Sequence, residues 1–211
     1  MIDGFPTILA RLVGRRLHHR RPLLIQAWLW LAAEADTLQQ KRRRLNLVIL
    51  THPEVDHVGG LVEVLERYEV GLVLDSGQEC SNATCERWSA LIEDKVIPYR
   101  KAEAGMQVTV SGAVLLDILH PPGPLMSGTS SDINNNSVVL RLQYGQLSAL
   151  LTGDVMEEAE GVLLLSGQPL HSLMLKVPHH GGDTSLTTPF LEAIVPELAV
   201  ISDSSNIPTV N

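Results

Sequence analysis

The sequence has few of the features that mark disulfide-rich, zinc-ribbon or repeat proteins. Its 211 residues include only two cysteines, Cys80 and Cys85, whereas a zinc ribbon needs more ligands in paired spacing. These two residues are either buried thiols or one local disulfide, and the sequence does not choose between them. No repeat of roughly 20–50 residues is present, which excludes a solenoid or a propeller.

The chain also lacks an apolar run long enough to cross a membrane. The longest run near its start, residues 22–33, is interrupted by Gln26 and falls short of the ~20 residues that a bilayer requires. It does not have the order of a secretory signal either. We interpret it as a buried or interface helix, although Trp28 and Trp30 would also suit a membrane contact. The sequence therefore predicts no intrinsic transmembrane helix.

Basic residues are scarce outside the first part of the chain. The formal net charge is −8, yet residues 1–50 hold 9 of the 16 Lys and Arg and only 3 of the 24 Asp and Glu. The acidic remainder is unsuited to tight, non-specific nucleic-acid binding, because phosphates require clustered Lys and Arg. Acidic loops do suit divalent cations. The clustered arginines form either a phosphate-facing patch or a solvated helix face: Arg15, Arg16, Arg20, Arg21, Arg42, Arg43 and Arg44.

Length and composition predict one packed domain over residues 1–211, with 45% hydrophobic and 19% charged residues. The apolar run Leu45–Leu50 predicts a buried strand, and residues 61–68 have the spacing of an amphipathic helix. Residues 121–136 are rich in Pro, Gly, Ser, Thr and Asn and predict a surface loop. Further strands are expected over 71–74, 106–110, 114–119, 138–143, 147–151, 173–177 and 199–202, and helices over 86–93, 157–165 and 189–194. This mixture indicates an α/β or α+β layered domain.

A group of ligand-type side chains follows the first predicted strand. His52, Asp56 and His57 lie within six residues of one another on the loop that leaves this strand. Imidazole nitrogens and carboxylate oxygens are ligands of zinc, and of manganese where carboxylates dominate. Gly59-Gly60 comes next, where we expect the backbone to pass close to the site. The loop therefore favours a metal site over an isolated surface pair.

Two later strand ends carry similar residues. Asp154 follows the apolar run 147–151, and His179 and His180 follow residues 173–177. Taken alone, Asp154 could cap the helix that begins near Glu157, and the two histidines could form a solvent-exposed corner. Because rigid scaffolds present reactive loops at strand ends, the three groups together favour one shared metal centre.

Three segments resemble the successive motifs of the metallo-β-lactamase superfamily: His52-x-Glu54-x-Asp56-His57-x-Gly59-Gly60, Leu150-Leu151-Thr152-Gly153-Asp154 and Leu175-Lys176-Val177-Pro178-His179-His180-Gly181. More narrowly, the chain is similar to the C-terminal hydrolase domain of ComEC-type competence proteins, which act in DNA uptake. Two further segments carry that likeness: Met1-Ile2-Asp3-Gly4 and Asn134-Asn135-Asn136-Ser137. The resemblance implies a four-layer αββα sandwich with its metal site at one edge of the paired sheets.

The resemblance also implies two divalent metal ions, Zn²⁺ or Mn²⁺, and a role for each site residue. The implied metal ligands are His52, Glu54, Asp56, His57, Asp154 and His180, with Asp154 bridging the two ions. Asp56 would also orient the nucleophile, and His179 would donate a proton. Asn135, Ser137 and Lys176 are further candidates for contact with metal or substrate.

The chain departs from the family pattern at several positions. Glu54 stands where many members have His and the ComEC-like group has Asp. A further family histidine has no counterpart, and Asn134–Asn136 occupy its region, so we expect the first metal to be held loosely. His120 is either a substitute ligand or simply a strand ending. The segment 1–44 is divergent, and the family's first strand pair and its C-terminal loop and helix are not found, so we expect some terminal strands to be missing.

These features predict a metal-dependent hydrolase, specifically a phosphodiesterase or nuclease that acts on single-stranded or double-stranded DNA in competence-related uptake. Because the fold does not determine the substrate, an ester, lactone or thioester hydrolase and a truncated, non-catalytic domain are the alternatives. Full-length relatives carry a membrane channel region, so the parent protein could be membrane-associated or extracytoplasmic. The sequence leaves the localisation of this soluble domain open.

Overall fold

The computed structural model describes residues 44–110 and 113–202. Several of the expectations above fall on the other residues. These are the interpretation of the run 22–33, the arginines before Arg44 and the divergent segment 1–44, all of which lie wholly or almost wholly outside the described residues. Within the described ranges, no helix is both long enough and apolar enough to cross a bilayer.

Short strands alternate with helices along the described part of the chain. The strands are β1 (Arg44–Leu45), β2 (Val48–Leu50), β3 (Glu69–Val70), β4 (Val73–Asp75), β5 (Tyr99–Lys101), β6 (Gln107–Val110), β7 (Val114–His120), β8 (Val139–Tyr144), β9 (Leu147–Leu151), β10 (Met174–Lys176) and β11 (Leu198–Val200). The helices are α1 (Val55–Arg67), α2 (Ala83–Asp94), α3 (Asp132–Asn135), α4 (Glu157–Leu165) and α5 (Thr188–Ile194). A 3₁₀ turn, Pro178–Gly181, follows β10.

Hydrogen bonding groups these strands into sheets. A six-stranded sheet has the order β11-β10-β9-β8-β7-β6, a three-stranded sheet has the order β2-β4-β5, and β1 pairs with β3. The three-stranded sheet is entirely parallel, and β9, β10 and β11 are parallel to one another. The carboxyl ends of neighbouring parallel strands meet at one edge of a sheet. The loops that follow β2 and β4 therefore lie side by side, as do those that follow β9 and β10.

Three buried clusters give the order of the layers. Leu50 of β2 faces the cluster that includes α1 and α2, while the neighbouring Ile49 faces the opposite way, toward Leu116 in the six-stranded sheet. Leu150, on the far side of that sheet, packs in the same cluster as Phe190 of α5. A strand that is buried on both faces needs apolar residues on both. This is why β2, which lies between the two inner clusters, is wholly hydrophobic. The layers are helix, sheet, sheet, helix, which confirms the αββα arrangement.

The first helix begins earlier than the sequence indicated. Helix α1 starts at Val55, so that Asp56, His57 and both glycines lie within the helix rather than on a loop before it. The backbone carbonyl of Glu54 accepts hydrogen bonds from His57 and Val58. The expected close approach at Gly59 is wrong, because a Cβ atom there would meet no other atom within 4 Å. The other helices and the hairpin strands fall close to their expected bounds, whereas β1 and β2 divide the run 45–50.

The polar stretch 121–136 is only partly a surface loop. Its end forms helix α3, and Asn134, Asn135 and Asn136 are all buried. The amide of Asn136 accepts a hydrogen bond from the backbone N–H of Met126 and donates one to its carbonyl. Buried polar side chains are tolerated when they satisfy backbone groups in this way. The composition of this stretch predicted an exposed loop. Asn136 is instead a buried residue that stabilises the loop through hydrogen bonds to its backbone.

A disulfide joins Cys80, in the segment between β4 and α2, to Cys85 in the first turn of α2, which decides between the two possibilities left by the sequence. Both sulfur atoms lie 3.4 Å from the carbonyl oxygen of Pro53. Asn82, between the two cysteines, caps α2 by accepting hydrogen bonds from the N–H groups of Thr84 and Cys85. The disulfide therefore packs the start of α2 against the loop that follows β2.

Gly153 offers a test of how tightly the loop after β9 is packed. Its φ is +55°, and a Cβ atom there would lie 2.7 Å from Cβ of Ser137. Gly145 has a similar φ of +58° but open space around it. We expect Gly145→Ala to lower the free energy of unfolding by about 1–2 kcal/mol through backbone strain alone. Gly153→Ala should cost a further ~1–3 kcal/mol from overpacking.

Urea denaturation of the two variants and the parent protein measures both costs. Equal losses for Gly153→Ala and Gly145→Ala would contradict the close packing of this loop against Ser137.

Candidate metal centre

Three strand ends bring imidazoles to one carboxylate oxygen. Asp154 follows β9, and its Oδ2 lies 3.1 Å from Nε2 of His57 and 3.0 Å from Nε2 of His180. His52, which follows β2, has its Nε2 4.0 Å from the same oxygen. His180 reaches this point because β9 and β10 are parallel neighbours. The structure thus brings together side chains that are more than 100 residues apart in the chain.

Asp56 joins this cluster from its solvent side. Its Oδ2 lies 3.6 Å from Nε2 of both His57 and His180, and its side chain is 48% exposed. Two overlapping groups result, one made of His52, His57 and Asp154 and the other of Asp56, His57 and His180, with ligand atoms within 4.8 Å of one another in each group. One group is buried and the other opens to solvent. His57 belongs to both groups, and Asp154 belongs to the buried one.

In His180 and His52, the hydrogen bond made by Nδ1 determines whether Nε2 presents a lone pair to the cluster. Nδ1 of His180 lies 2.7 Å from the carbonyl oxygen of Ser202. A carbonyl only accepts, so Nδ1 carries the proton and Nε2 offers its lone pair to the cluster. Nδ1 of His52 contacts the hydroxyl of Thr51 at 3.1 Å. A backbone or hydroxyl contact of this kind orients a metal-binding histidine.

Two of these nitrogens are buried without a hydrogen-bond partner among the described residues: Nε2 of His52 and Nε2 of His180. His180 is close to Oδ2 of Asp154, yet not at a hydrogen-bonding angle. Buried polar atoms are rarely left unpaired, so these two atoms fit a cation placed between them and the carboxylate. Burial, followed by the nearby His57, lowers the pKa of His52 to about 3. His52 is therefore neutral near pH 7, the form in which imidazole binds metal.

Lys176 and Ser137 hold Asp154 in place. Nζ of Lys176 lies 2.9 Å from Oδ1 of Asp154 and 2.7 Å from the carbonyl oxygen of Gly153, and the backbone N–H of Asp154 donates to Oγ of Ser137. Lys176 and Ser137 are both buried. These contacts make both residues supports of Asp154, and their contact with metal or substrate stays a prediction. Since Oδ1 is occupied by the ammonium group, Oδ2 is the oxygen left for cations.

The charges around Asp154 also settle its ionisation. Burial by itself raises the pKa of this carboxyl group, but the hydrogen bond with His57 and the positive charge of Lys176 outweigh it, so the net pKa is well below its ordinary value. Burial lowers the pKa of Lys176, and Asp154 opposes that change. An ionised carboxylate at this position is a hard, anionic ligand of the kind that divalent cations prefer.

Glu54 and His179 stand apart from the cluster. Glu54 is the residue before α1, and its carboxylate is in neither group of candidate ligand atoms. Burial and the nearby Asp56 raise the pKa of Glu54. Nδ1 of His179 contacts the hydroxyl of Thr184 at 3.0 Å, and its ring centroid is 6.4 Å from that of His180. The structure therefore places both residues beside the centre rather than in it.

Asn135 has a different set of partners from those expected of a ligand. Its Oδ1 accepts hydrogen bonds from the N–H groups of Met156 and Ala159, and its Nδ2 donates to Glu158. Both ends of the amide are thus used to fix the start of α4, immediately after Asp154. Asn135 therefore positions the Asp154 loop, and its direct contact with metal or substrate stays a prediction.

His120 lies at the end of β7 and is 1% exposed. Its Nε2 is 2.7 Å from the carbonyl oxygen of Asn135, and it belongs to neither group of candidate ligand atoms. The structure therefore agrees with a strand ending rather than a substitute ligand.

Sequence reasoning missed some residues that support the centre. The carboxylate of Glu160 is fully buried and accepts hydrogen bonds from the backbone N–H groups of Leu186 and Thr187. It thereby ties the segment after His180 to α4. The sequence does contain a signal for these residues, because a charged side chain in apolar surroundings requires a partner. Glu160 lies on the buried face of a helix, and Lys176 lies within an apolar strand. The sequence could not identify those partners, because they lie more than 20 residues away.

A family model described as the metallo-β-lactamase superfamily matches residues 21–202. The chain belongs to this superfamily. Its fold is that of a superfamily of metal-dependent hydrolases, and the imidazole and carboxylate groups described above are its candidate metal sites.

Competence proteins are among the curated relatives of this chain. ComE operon protein 3 of Bacillus subtilis is 26% identical over 164 residues, which cover 78% of this chain and 20% of that protein. Competence protein ComA of Neisseria gonorrhoeae is 28% identical over 167 residues, covering 76% of this chain and 20% of that protein. The chain thus spans about a fifth of the length of these relatives. Among solved structures, the metallo hydrolase Igni18 from Ignicoccus hospitalis is 16% identical, with a TM-score of 0.47, over 74% of this chain and 62% of that one.

Acid should destabilise the protein through its buried histidines, and His120 allows this to be measured away from the metal cluster. Burial lowers the pKa of His120 to about 4. As the pH falls from 6.5 to 4, the unfolded chain therefore binds a proton at this residue, whereas the folded protein does not. Stability is therefore lost as the pH falls through this window. His120 should account for on the order of 2–3 kcal/mol of the loss between pH 7 and pH 4.5.

Urea denaturation at both pH values, in the presence of a chelator, tests this expectation. His120→Gln should show a correspondingly smaller loss, whereas His171→Gln, at an exposed histidine, should behave like the parent protein. An unchanged pH dependence in His120→Gln would be inconsistent with the proposed cause.

Lys176→Met should destabilise the metal-free protein strongly. The substitution leaves Asp154 as a buried, unpaired charge, and breaking a buried ion pair in this way costs about 3–5 kcal/mol. The matched control is Arg87→Met, because Arg87 pairs with Glu66 at the same 2.9 Å distance on the surface. That exposed pair should contribute less than about 1 kcal/mol. Unfolding by urea with chelator present compares the two, and similar losses would argue against the buried pair as a stabilising contact.

Proposed function

We propose that this protein is a metal-dependent phosphodiesterase that acts on DNA in competence-type DNA uptake. The observation that supports a hydrolytic centre is the convergence of three imidazoles on one carboxylate oxygen, with two buried imidazole nitrogens left unpaired. DNA is proposed as the substrate because the chain resembles ComEC-type competence proteins, and one of its relatives is named competence protein ComA. Single-stranded and double-stranded DNA are both consistent with the open side of the site.

The residues proposed to hold two divalent cations are His52, Asp56, His57, Asp154 and His180. Oδ2 of Asp154 lies within 4.0 Å of all three imidazole nitrogens, so Asp154 is the residue proposed to help hold both cations. Glu54 remains a proposed ligand of the cation nearest His52. Its carboxylate belongs to neither group of candidate ligand atoms. That cation is therefore proposed to be the more weakly held of the two. Zinc and manganese both suit this mixture of imidazole and carboxylate.

When bound, such cations act as Lewis acids toward a phosphoryl oxygen and lower the pKa of water toward ~7. The protein's own groups supply orientation and proton transfer. Asp56, half-exposed at the open side, is proposed to orient the attacking water and to accept a proton from it. His179 is proposed to protonate the leaving oxygen through Nε2, because its Nδ1 is already directed at the hydroxyl of Thr184.

Charge suggests where DNA would be held. Residues 1–43 contain half of the 16 Lys and Arg residues, whereas the described surface after β9 is mainly acidic. In the range 145–202 the single basic residue is Lys176, which is buried against Asp154. We therefore propose that the DNA backbone is held chiefly by the basic N-terminal segment, with one phosphodiester directed to the centre. Such binding would weaken steeply as salt is added.

Elemental analysis and a phosphodiester assay test this proposal together. Protein purified without chelator should contain close to two equivalents of zinc or manganese and should hydrolyse bis(p-nitrophenyl) phosphate. We expect His52→Ala and Asp154→Ala to lower both metal content and turnover, the latter by at least ~100-fold, since second-shell changes alone cost 10–100-fold. His171→Ala, at an exposed histidine away from the cluster, is the matched control and should retain both.

The outcomes separate the competing functions. Metal-free, inactive protein would favour a non-catalytic domain. Bound metal with hydrolysis of lactone, thioester or carboxylic ester substrates, but not of phosphodiesters, would overturn the DNA assignment while leaving the metal centre intact.

A further inference from the structure

A cleft of about 470 Å³ includes Pro53, the residue that follows the candidate ligand His52, in its lining. Leu50 and Pro53, which flank the loop carrying His52, form one wall, and the segment between β4 and α2 forms another. The cleft is therefore at the carboxyl edge of the parallel sheet β2-β4-β5, the edge at which open α/β sheets usually bind ligands. Its volume falls within the range of about 300–1,000 Å³ that is typical of small-molecule sites.

One carboxylate fixes the aromatic side of this cleft. Oδ1 of Asp75 accepts hydrogen bonds from the hydroxyl of Tyr99 at 2.6 Å and from the N–H of Gly77 at 2.8 Å, and Oδ2 accepts one from Nε1 of Trp88 at 3.4 Å. Burial and the bond to Asp75 raise the pKa of Tyr99 well above its ordinary value, which keeps its hydroxyl protonated. Tyr99 is 40% exposed, so part of its ring is available to a ligand. The wall is thus held in place before anything binds.

The carboxylates of the cleft disfavour a phosphate as its occupant. Asp75 and Glu79 contribute carboxylates, and no described lining residue is Lys or Arg. The remaining polar groups are mainly hydroxyls, from Ser76, Ser81 and Ser89. Carboxylates and hydroxyls beside an aromatic ring suit a flat, uncharged group with N–H donors. Glu and Asp accept hydrogen bonds from the exocyclic amino group of cytosine in this manner.

We propose that the cleft binds a nucleobase bearing an amino group, next to the phosphodiester that is directed to the metal centre. This inference rests on the proposed function and adds to it a subsite that reads the base. Pro53 contributes to the cleft and directly follows His52, so a base in the cleft and its phosphate at the centre would be neighbours. The base would lie against Tyr99 and donate to Glu79, while the phosphate stays away from both carboxylates.

Filling the cleft tests the subsite through activity. Ser89 is exposed on α2 and lines the cleft, whereas Glu86 is exposed on the same helix and does not. We compare kcat/KM for the p-nitrophenyl ester of deoxycytidine 5′-phosphate with that for methyl p-nitrophenyl phosphate, which has the same leaving group and no base. Ser89→Trp should lower the first value at least ~10-fold and leave the second unchanged, and Glu86→Trp should change neither.

A binding measurement keeps this test separate from the proposed catalysis. Saturation-transfer difference NMR with deoxycytidine and chelated, metal-free protein should detect contact with the base protons in the parent protein and in Glu86→Trp. The signal should fall several-fold in Ser89→Trp and in a second variant, Glu79→Ala, which removes the acceptor without adding bulk.

Each outcome has one meaning. Equal signals in all four proteins, no signal in the parent protein, or an equal loss of activity toward both esters in Ser89→Trp would overturn the subsite. If the parent protein hydrolyses neither ester yet binds deoxycytidine in a manner sensitive to Ser89 and Glu79, the proposed catalysis fails and the base-binding cleft stands.

Discussion

The burial of one ionised carboxylate is the constraint on which the rest of the site depends. Asp154 lies almost fully inside the protein, where an unpaired charge would be very costly. Lys176 offsets that cost on one oxygen, and the imidazoles of His57 and His180 surround the other. The carboxylate thus organises two kinds of partner at once. Oδ1, which Lys176 contacts, anchors the loop to the rest of the protein. Oδ2, which the imidazoles surround, is the oxygen that is available to a cation.

The sandwich makes this arrangement possible because its strands end where the ligands are needed. Short parallel strands in the two sheets, β2 in one and β9 and β10 in the other, carry the residues that meet at the centre. Apolar residues on both faces of these strands leave little freedom for the ends to move apart. Supports around the centre act in the same direction: Ser137 holds the backbone of Asp154, Asn135 fixes the helix that follows it, and Glu160 ties down the segment after His180.

Electrostatics divides the surroundings of the site into different environments. Divalent cations bound at the centre would attract an anionic group, whereas the carboxylates of Asp75 and Glu79 in the cleft would repel one. A substrate that combines a phosphate with an uncharged planar group would satisfy both. The disulfide between Cys80 and Cys85 packs the cleft wall against Pro53, so the geometry of the cleft and that of the His52 loop are mechanically linked.

The sequence by itself determined the layered class of the fold, the positions of most helices and hairpins, and the residue types of a metal centre. Those features are local, because apolar periodicity and strand-end motifs depend only on residues that are close together in the chain. Only the tertiary structure decided which side chains converge: it brought Asp56 to His180, gave Lys176 and Ser137 to Asp154, and turned Asn135 toward α4. It also left Glu54 and His179 at the margin and revealed the cleft at Asp75. These outcomes depend on strand order and on partners distant in the chain, which no local pattern encodes.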